Sequence, residues 1–126
     1  MIVGIGTDIV DVGRIEAMLG RRGEALAQRL LSATELDAFK VHPAPARFLA
    51  KRFAAKEAAL KALGTGLRNG IRWADISVAH DELGKPALCL DGVAQQRAES
   101  LGVIACHLSV SDEQRYAVAF VILERR

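Results

Sequence analysis

Asp8, Arg52, Lys56, Glu57 and Lys61 are the residues of this chain whose types and spacing could do chemistry. Asp8 follows two glycines in the apolar stretch GIGTDIV, and the other four fall within RFAAKEAALK, residues 52–61. Two carboxylates beside several cations are the parts of a magnesium and polyphosphate site. Mg²⁺ takes one or two protein carboxylates and completes its octahedron with water and phosphate oxygens. Lysine and arginine then neutralise the charge left over.

The elements that carry these groups follow from pattern. Residues 2–10 predict a strand with Val3, Ile5 and Ile9 on one face and Gly4, Gly6 and Asp8 on the other. Glycines inside a strand mark a close approach by a ligand or another backbone. Residues 46–63 predict a long helix closed by Gly64. With Leu49 as the zero of a wheel of about 100° per residue, Phe53, Leu60 and Leu63 fall within roughly 40° of it. Lys56 lies inside that apolar stripe, Glu57 at its margin with Lys61 one turn on, and Arg52 on the other edge. Charges aimed at a partly covered region must find partners or shift their pKa. The residues alone support two accounts. In one, they form a phosphate and metal site; in the other, Glu57 and Lys61 are an ordinary i,i+4 pair, Lys56 snorkels, and Asp8 faces water at a strand end.

The rest of the chain supplies a frame. Asp11 predicts the N-cap of a helix to about Leu19, which places Arg14, Met18 and Arg21 on one side. A second helix runs through EALAQRLL, and SATE at 32–35 has capping-box spacing for a third. Strands are predicted at 75–80, at ALCL, at VIACHLSVS and at YAVAFVIL, with a helix at about 92–101. The expectation is an α+β fold, an antiparallel sheet with helices packed on one face, and one domain spanning 1–126.

Composition narrows the function. Seventeen basic against 15 acidic residues, net +2, is too balanced for a chain that mainly neutralises a phosphate backbone. Four Phe, one Trp and one Tyr are few for a base-stacking groove, so nucleic acid is disfavoured. No basic leader or membrane-length apolar run is present, which predicts a cytoplasmic protein with no membrane span. Cys89 and Cys106 are expected reduced and buried in the core. LGTGLRNG at 63–70 follows a helix where a phosphate-binding glycine loop would follow a strand, and no G-x-x-x-x-G-K-[ST] occurs.

GIGTDIVDVGRI, RFAAKEAALKALGTGLRNG, DELGKP and HLSVSDE, in that order, resemble the bacterial holo-acyl-carrier-protein synthases, the short 4'-phosphopantetheinyl transferases. The resemblance covers essentially the whole chain. It implies the 4'-phosphopantetheinyl transferase fold and transfer of the 4'-phosphopantetheine arm of coenzyme A to a serine of apo-acyl carrier protein, in fatty acid biosynthesis. Adenosine 3',5'-bisphosphate would be released. Asp8 and Glu57 would hold Mg²⁺, Lys61 would assist the leaving bisphosphate, and Glu57 is the nearest candidate base. Arg52, Lys56, Lys61, Gly64, Pro86 and His107 would contact coenzyme A, and a basic residue in the region of Arg47 could meet its 3'-phosphate, which the local sequence does not assign. Arg14, Met18 and Arg21 would dock the acidic carrier. Active sites would lie between subunits of a homotrimer. Ala58 and Phe53 stand where members of the wider superfamily carry serine and tryptophan, and both suit the short bacterial class. Two other functions use the same parts: a non-catalytic coenzyme A-binding module, and a Mg²⁺-dependent pyrophosphate hydrolase, which usually needs more carboxylates.

Overall fold

A computed structural model describes all 126 residues, and its centre is the contact between a glycine-bearing strand and an alanine-rich helix. In chain order the elements are β1 (Ile2–Asp11), α1 (Val12–Arg22), α2 (Glu24–Leu30), α3 (Ala33–Lys40), α4 (Pro45–Leu63), β2 (Ile76–His80), β3 (Pro86–Leu90), α5 (Gly92–Ser100), β4 (Val103–Asp112) and β5 (Tyr116–Arg125). The strands form two antiparallel sheets, β1-β5-β4 and the hairpin β2-β3. Helix α4 covers one face of the larger sheet, so the α+β expectation with helices on one face holds.

Local chemistry sets the boundaries. Asp11 caps α1 by accepting from the Gly13 N–H, and Ser32 and Glu35 close a reciprocal capping box on α3. Pro45 opens α4 at its first turn, where its missing N–H costs nothing, and Gly64 ends it with φ of 77°.

Helix α4 lies directly on β1 because both contribute almost no side chain at the contact. A Cβ on Gly6 would stand 1.9 Å from the Ala58 carbonyl oxygen, and one on Gly4 2.1 Å from that of Ala62. The glycines thus serve helix-on-sheet packing, and Ala54, Ala55, Ala58, Ala59 and Ala62 of α4 are all buried. Gly6→Ala is therefore expected to cost about 3 kcal/mol or more, since a helix backbone must move to admit one methyl. Denaturant unfolding checks this, and a loss under about 1 kcal/mol would show that strand and helix separate easily.

The alternation left open which face of β1 is covered, and it is the cysteine expectation that reverses. On β1 the glycine and Asp8 face is the covered one, while Ile5 and Ile9 are 59% and 62% exposed. They share the open side of the sheet with Val118 and Phe120, their neighbours on β5. The cysteines are free but not core residues: Cys89 is exposed and Cys106 half-buried.

Candidate active site

The close β1–α4 packing has a chemical consequence one residue beyond Gly6. Asp8 shares the covered face, and α4 brings Glu57 and Lys61, one turn apart, to its side. Lys61 Nζ donates to Asp8 Oδ1 at 3.1 Å and to the Thr7 carbonyl at 2.9 Å. Asp8 is largely enclosed, with 17% of its side chain exposed, while Lys61 remains open to solvent. Burial holds the Glu57 carboxyl above the usual range and the charge of Asp8 adds to this, with Lys61 opposing. Two neighbouring carboxylates, of which Glu57 is costly to ionise, backed by one cation, form a site that a divalent ion would relieve.

A cavity of about 250 Å³ opens beside the pair, lined by Asp8, Ile9, Val10, Asp11, Arg14, Ile15, Met18, Phe53 and Glu57. It joins the carboxylates to the α1 face carrying Arg14 and Met18. Arg21 lies outside the lining, in the last turn of α1. No helix is long and apolar enough to cross a membrane.

Lys56 is enclosed and does not line the cavity of Asp8 and Glu57. Its ammonium is wholly buried and donates to Glu35 Oε1 at 2.7 Å, to the Trp73 carbonyl at 3.1 Å and to the Ile76 carbonyl. Desolvation pulls its pKa down and Glu35 pulls it back up. The apolar stripe hid an ion pair with Glu35.

Glu35 is the residue that sequence reasoning missed. Besides Lys56 it accepts from the N–H groups of Ser32 and Val78, and its Oε2 lies 3.3 Å from Arg52 Nε, a charge contact without hydrogen-bond alignment. The capping-box pattern placed Glu35 at a helix start and gave no sign of a partner 21 residues away.

Arg52 faces two ways. Its guanidinium sits 4.5 Å from the Phe48 ring centroid and lines a second cavity, of about 290 Å³, with His42, Arg47, Phe48, Lys51 and His80. Arg47 is also tied to the β4–β5 turn, through Asp112 at 3.0 Å and the Gln114 carbonyl at 2.8 Å. Pro86 and His107 line a third cavity with Lys85 and Cys106. His107 Nε2 lies 3.0 Å from Glu124 Oε1. His107 pairs with Ile122 and Asp8 with Ala119, positions of opposite parity on β5, so the two side chains leave opposite faces of the sheet. Gly64 is the left-handed cap of α4.

This chain belongs to the 4'-phosphopantetheinyl transferase superfamily, whose family model matches residues 4–121. Its place within the superfamily is with the holo-acyl-carrier-protein synthases, and it is an enzyme of that type. It is 57% identical over 123 residues to the holo-acyl-carrier-protein synthase of Enterobacter sp. (strain 638), covering 98% of each chain. The crystal structure of the Neisseria meningitidis synthase matches with a TM-score of 0.93 at 43% identity, over 99% of this chain and 100% of that one. The Bacillus anthracis str. Ames synthase, solved in complex with CoA (3',5'-ADP), matches with a TM-score of 0.82 at 39% identity, over 100% of this chain and 99% of that one.

Proposed function

We propose that residues 1–126 form one transferase domain that moves 4'-phosphopantetheine from coenzyme A to a serine of apo-acyl carrier protein, releasing adenosine 3',5'-bisphosphate, in the cytosol and in fatty acid biosynthesis. The observation that carries this reading is the joining, in one cavity, of the Asp8–Glu57 carboxylates and the cationic Arg14 and Met18 face. A pyrophosphate hydrolase needs the first of these and has no use for the second.

The donor set fits Mg²⁺: two carboxylates, hard oxygen ligands, and no cluster of three or more acidic, histidine or cysteine side chains that would make an all-protein cage. Asp8 and Glu57 would hold the ion, which when bound supplies charge neutralisation at the pyrophosphate. Lys61, half-exposed beside Asp8, is placed to stabilise the departing bisphosphate. Glu57, its pKa raised, is the nearest group to take the serine proton, directly or through a water. Arg52 and Arg47 offer the 3'-phosphate of coenzyme A a cationic cavity.

Two features support active sites shared between copies in a homotrimer. The open sheet face carries Ile5, Ile9, Val118 and Phe120, an apolar surface of the kind that assembly buries. Pro86 and His107 line a separate cavity, and His107 leaves the sheet on the face opposite Asp8, so it would reach coenzyme A held at a neighbouring copy's carboxylates. Gly64, at the end of α4, is proposed to border the same ligand.

Peptide mapping of the modified carrier tests the reading. A phosphopantetheine mass on one serine, lost in a serine-to-alanine carrier, with adenosine 3',5'-bisphosphate in the supernatant, is expected. Hydrolysis of coenzyme A without carrier modification would favour the hydrolase. Arg14→Glu with Arg21→Glu should raise the KM for carrier about tenfold or more and leave that for coenzyme A within about twofold. An unchanged carrier KM would remove the docking face.

A further inference from the structure

The cavity lined by His42, Arg47, Phe48, Lys51, Arg52 and His80 has no acidic side chain in its wall. Its fixed cations are each balanced from behind. Asp112 lies 3.0 Å from Arg47 and 3.5 Å from Lys51, and Glu35 lies 3.3 Å from Arg52. Counting Lys56, which shares Glu35 with Arg52, four cations against those two carboxylates leave two positive charges without any contribution from the histidines. Phe48 and Glu35 hold the Arg52 guanidinium on two sides, so it meets a ligand with little ordering cost. A compact anion with several acceptor oxygens, such as a phosphomonoester, suits this lining.

The two histidines are not equivalent. His42 Nδ1 accepts the Ala44 N–H at 3.0 Å, which fixes the neutral ring's hydrogen on Nε2 and makes His42 a donor without any added proton. His80 ends β2 at an exposed position, with no such bond to fix its ring. It faces Arg52 and Lys51 from α4 and its neighbour Asp81. Desolvation first, then the two cations, hold its pKa below the ordinary histidine value, with Asp81 opposing. His80 is therefore neutral near pH 7 while the cavity is empty. A dianion set among these cations would cancel their repulsion and draw a proton from solvent onto the imidazole.

We propose that this cavity is a proton-coupled phosphate site, in which His80 takes up a proton as a phosphomonoester binds and His42 serves as a fixed Nε2 donor. The inference rests on the reading that the 3'-phosphate of coenzyme A occupies the cavity. Because coupling is reciprocal, whatever factor the phosphate adds to proton affinity, the proton adds to phosphate affinity. Preference for the 3'-phosphorylated substrate then grows as pH falls through the histidine range.

The test is the ratio of KM for 3'-dephospho-coenzyme A to KM for coenzyme A, measured between about pH 6 and pH 8. Both substrates use the Asp8–Glu57 site, so titration there cancels in the ratio. The second ionisation of the phosphate itself, near pH 6, is common to every variant and works against the expected trend. The wild-type ratio should be about fivefold larger at the acid end. His80→Gln should abolish that rise, whereas His42→Gln should lower the ratio at every pH and keep the slope. Coenzyme A binding followed by calorimetry in buffers of different ionisation enthalpy should show more proton uptake in wild type than in His80→Gln. An unchanged slope and uptake in His80→Gln would overturn the proposal. A wild-type ratio near one at every pH would instead remove the 3'-phosphate from this cavity.

Discussion

Glu57→Gln and Asp8→Asn should each lower kcat/KM for carrier modification by on the order of 10³-fold, with the fold retained. Each exchange keeps the shape of the side chain and removes one of the two charges proposed to hold the cation. The fold does not depend on either charge. Asp8 pairs with an exposed lysine, and such pairs contribute little. Glu57 is ionised at a cost, because its folded pKa is raised. A carboxyl with a raised folded pKa favours the folded state where it is protonated. It begins to cost stability as pH rises past its unfolded value, and the full cost is present above the folded one. Glu57→Gln removes that cost and should be at least as stable as wild type at neutral pH. Kinetics and thermal unfolding on the same preparations check both halves. Activity within about tenfold of wild type in either variant would take the metal away from these residues.

Glu35→Ala should be the most damaging change to stability outside the glycines, at about 3–5 kcal/mol. It strands the Lys56 ammonium, which has no exposed surface, and leaves the buried Val78 N–H without its acceptor. The double variant Glu35→Gln with Lys56→Met removes both charges together and should recover much of that loss, because no unpaired ion is left inside. It should also keep kcat, since Lys56 has no exposed surface and does not line the Asp8–Glu57 cavity. Denaturant unfolding of the three proteins decides the stability part. A loss under about 1 kcal/mol in Glu35→Ala would mean that water reaches Lys56, and a collapse of activity in a well-folded double variant would return Lys56 to the coenzyme A contacts.

What could be read from sequence follows from how local each cause is. Asp11, Ser32 with Glu35, and Gly64 act within a turn of themselves, so those helix ends were legible. Asp8, Glu57 and Lys61 were also legible as a set, because a glycine-flanked carboxylate and an i,i+4 pair are both short-range patterns. Period-two alternation defined the two faces of β1 but could not say which was covered. The answer lay in α4, whose alanines leave room only for a strand of glycines. Lys56 defeated the reading for the same reason: its position in the apolar stripe was right, but its partner sits on another helix. The cavity of His42 and His80 draws on α4, the loop before it and the end of β2, which no single window of sequence contains.

The central claim is that Asp8 and Glu57 make this chain a Mg²⁺-dependent transferase. Intact-mass spectrometry of an apo-acyl carrier protein, incubated with the enzyme and coenzyme A in Mg²⁺ or in chelator, tests it most directly. A phosphopantetheine mass gain with Mg²⁺ that disappears with chelator is the predicted result. An equal gain in chelator would contradict the metal's part, and no gain on any carrier would contradict the transfer itself.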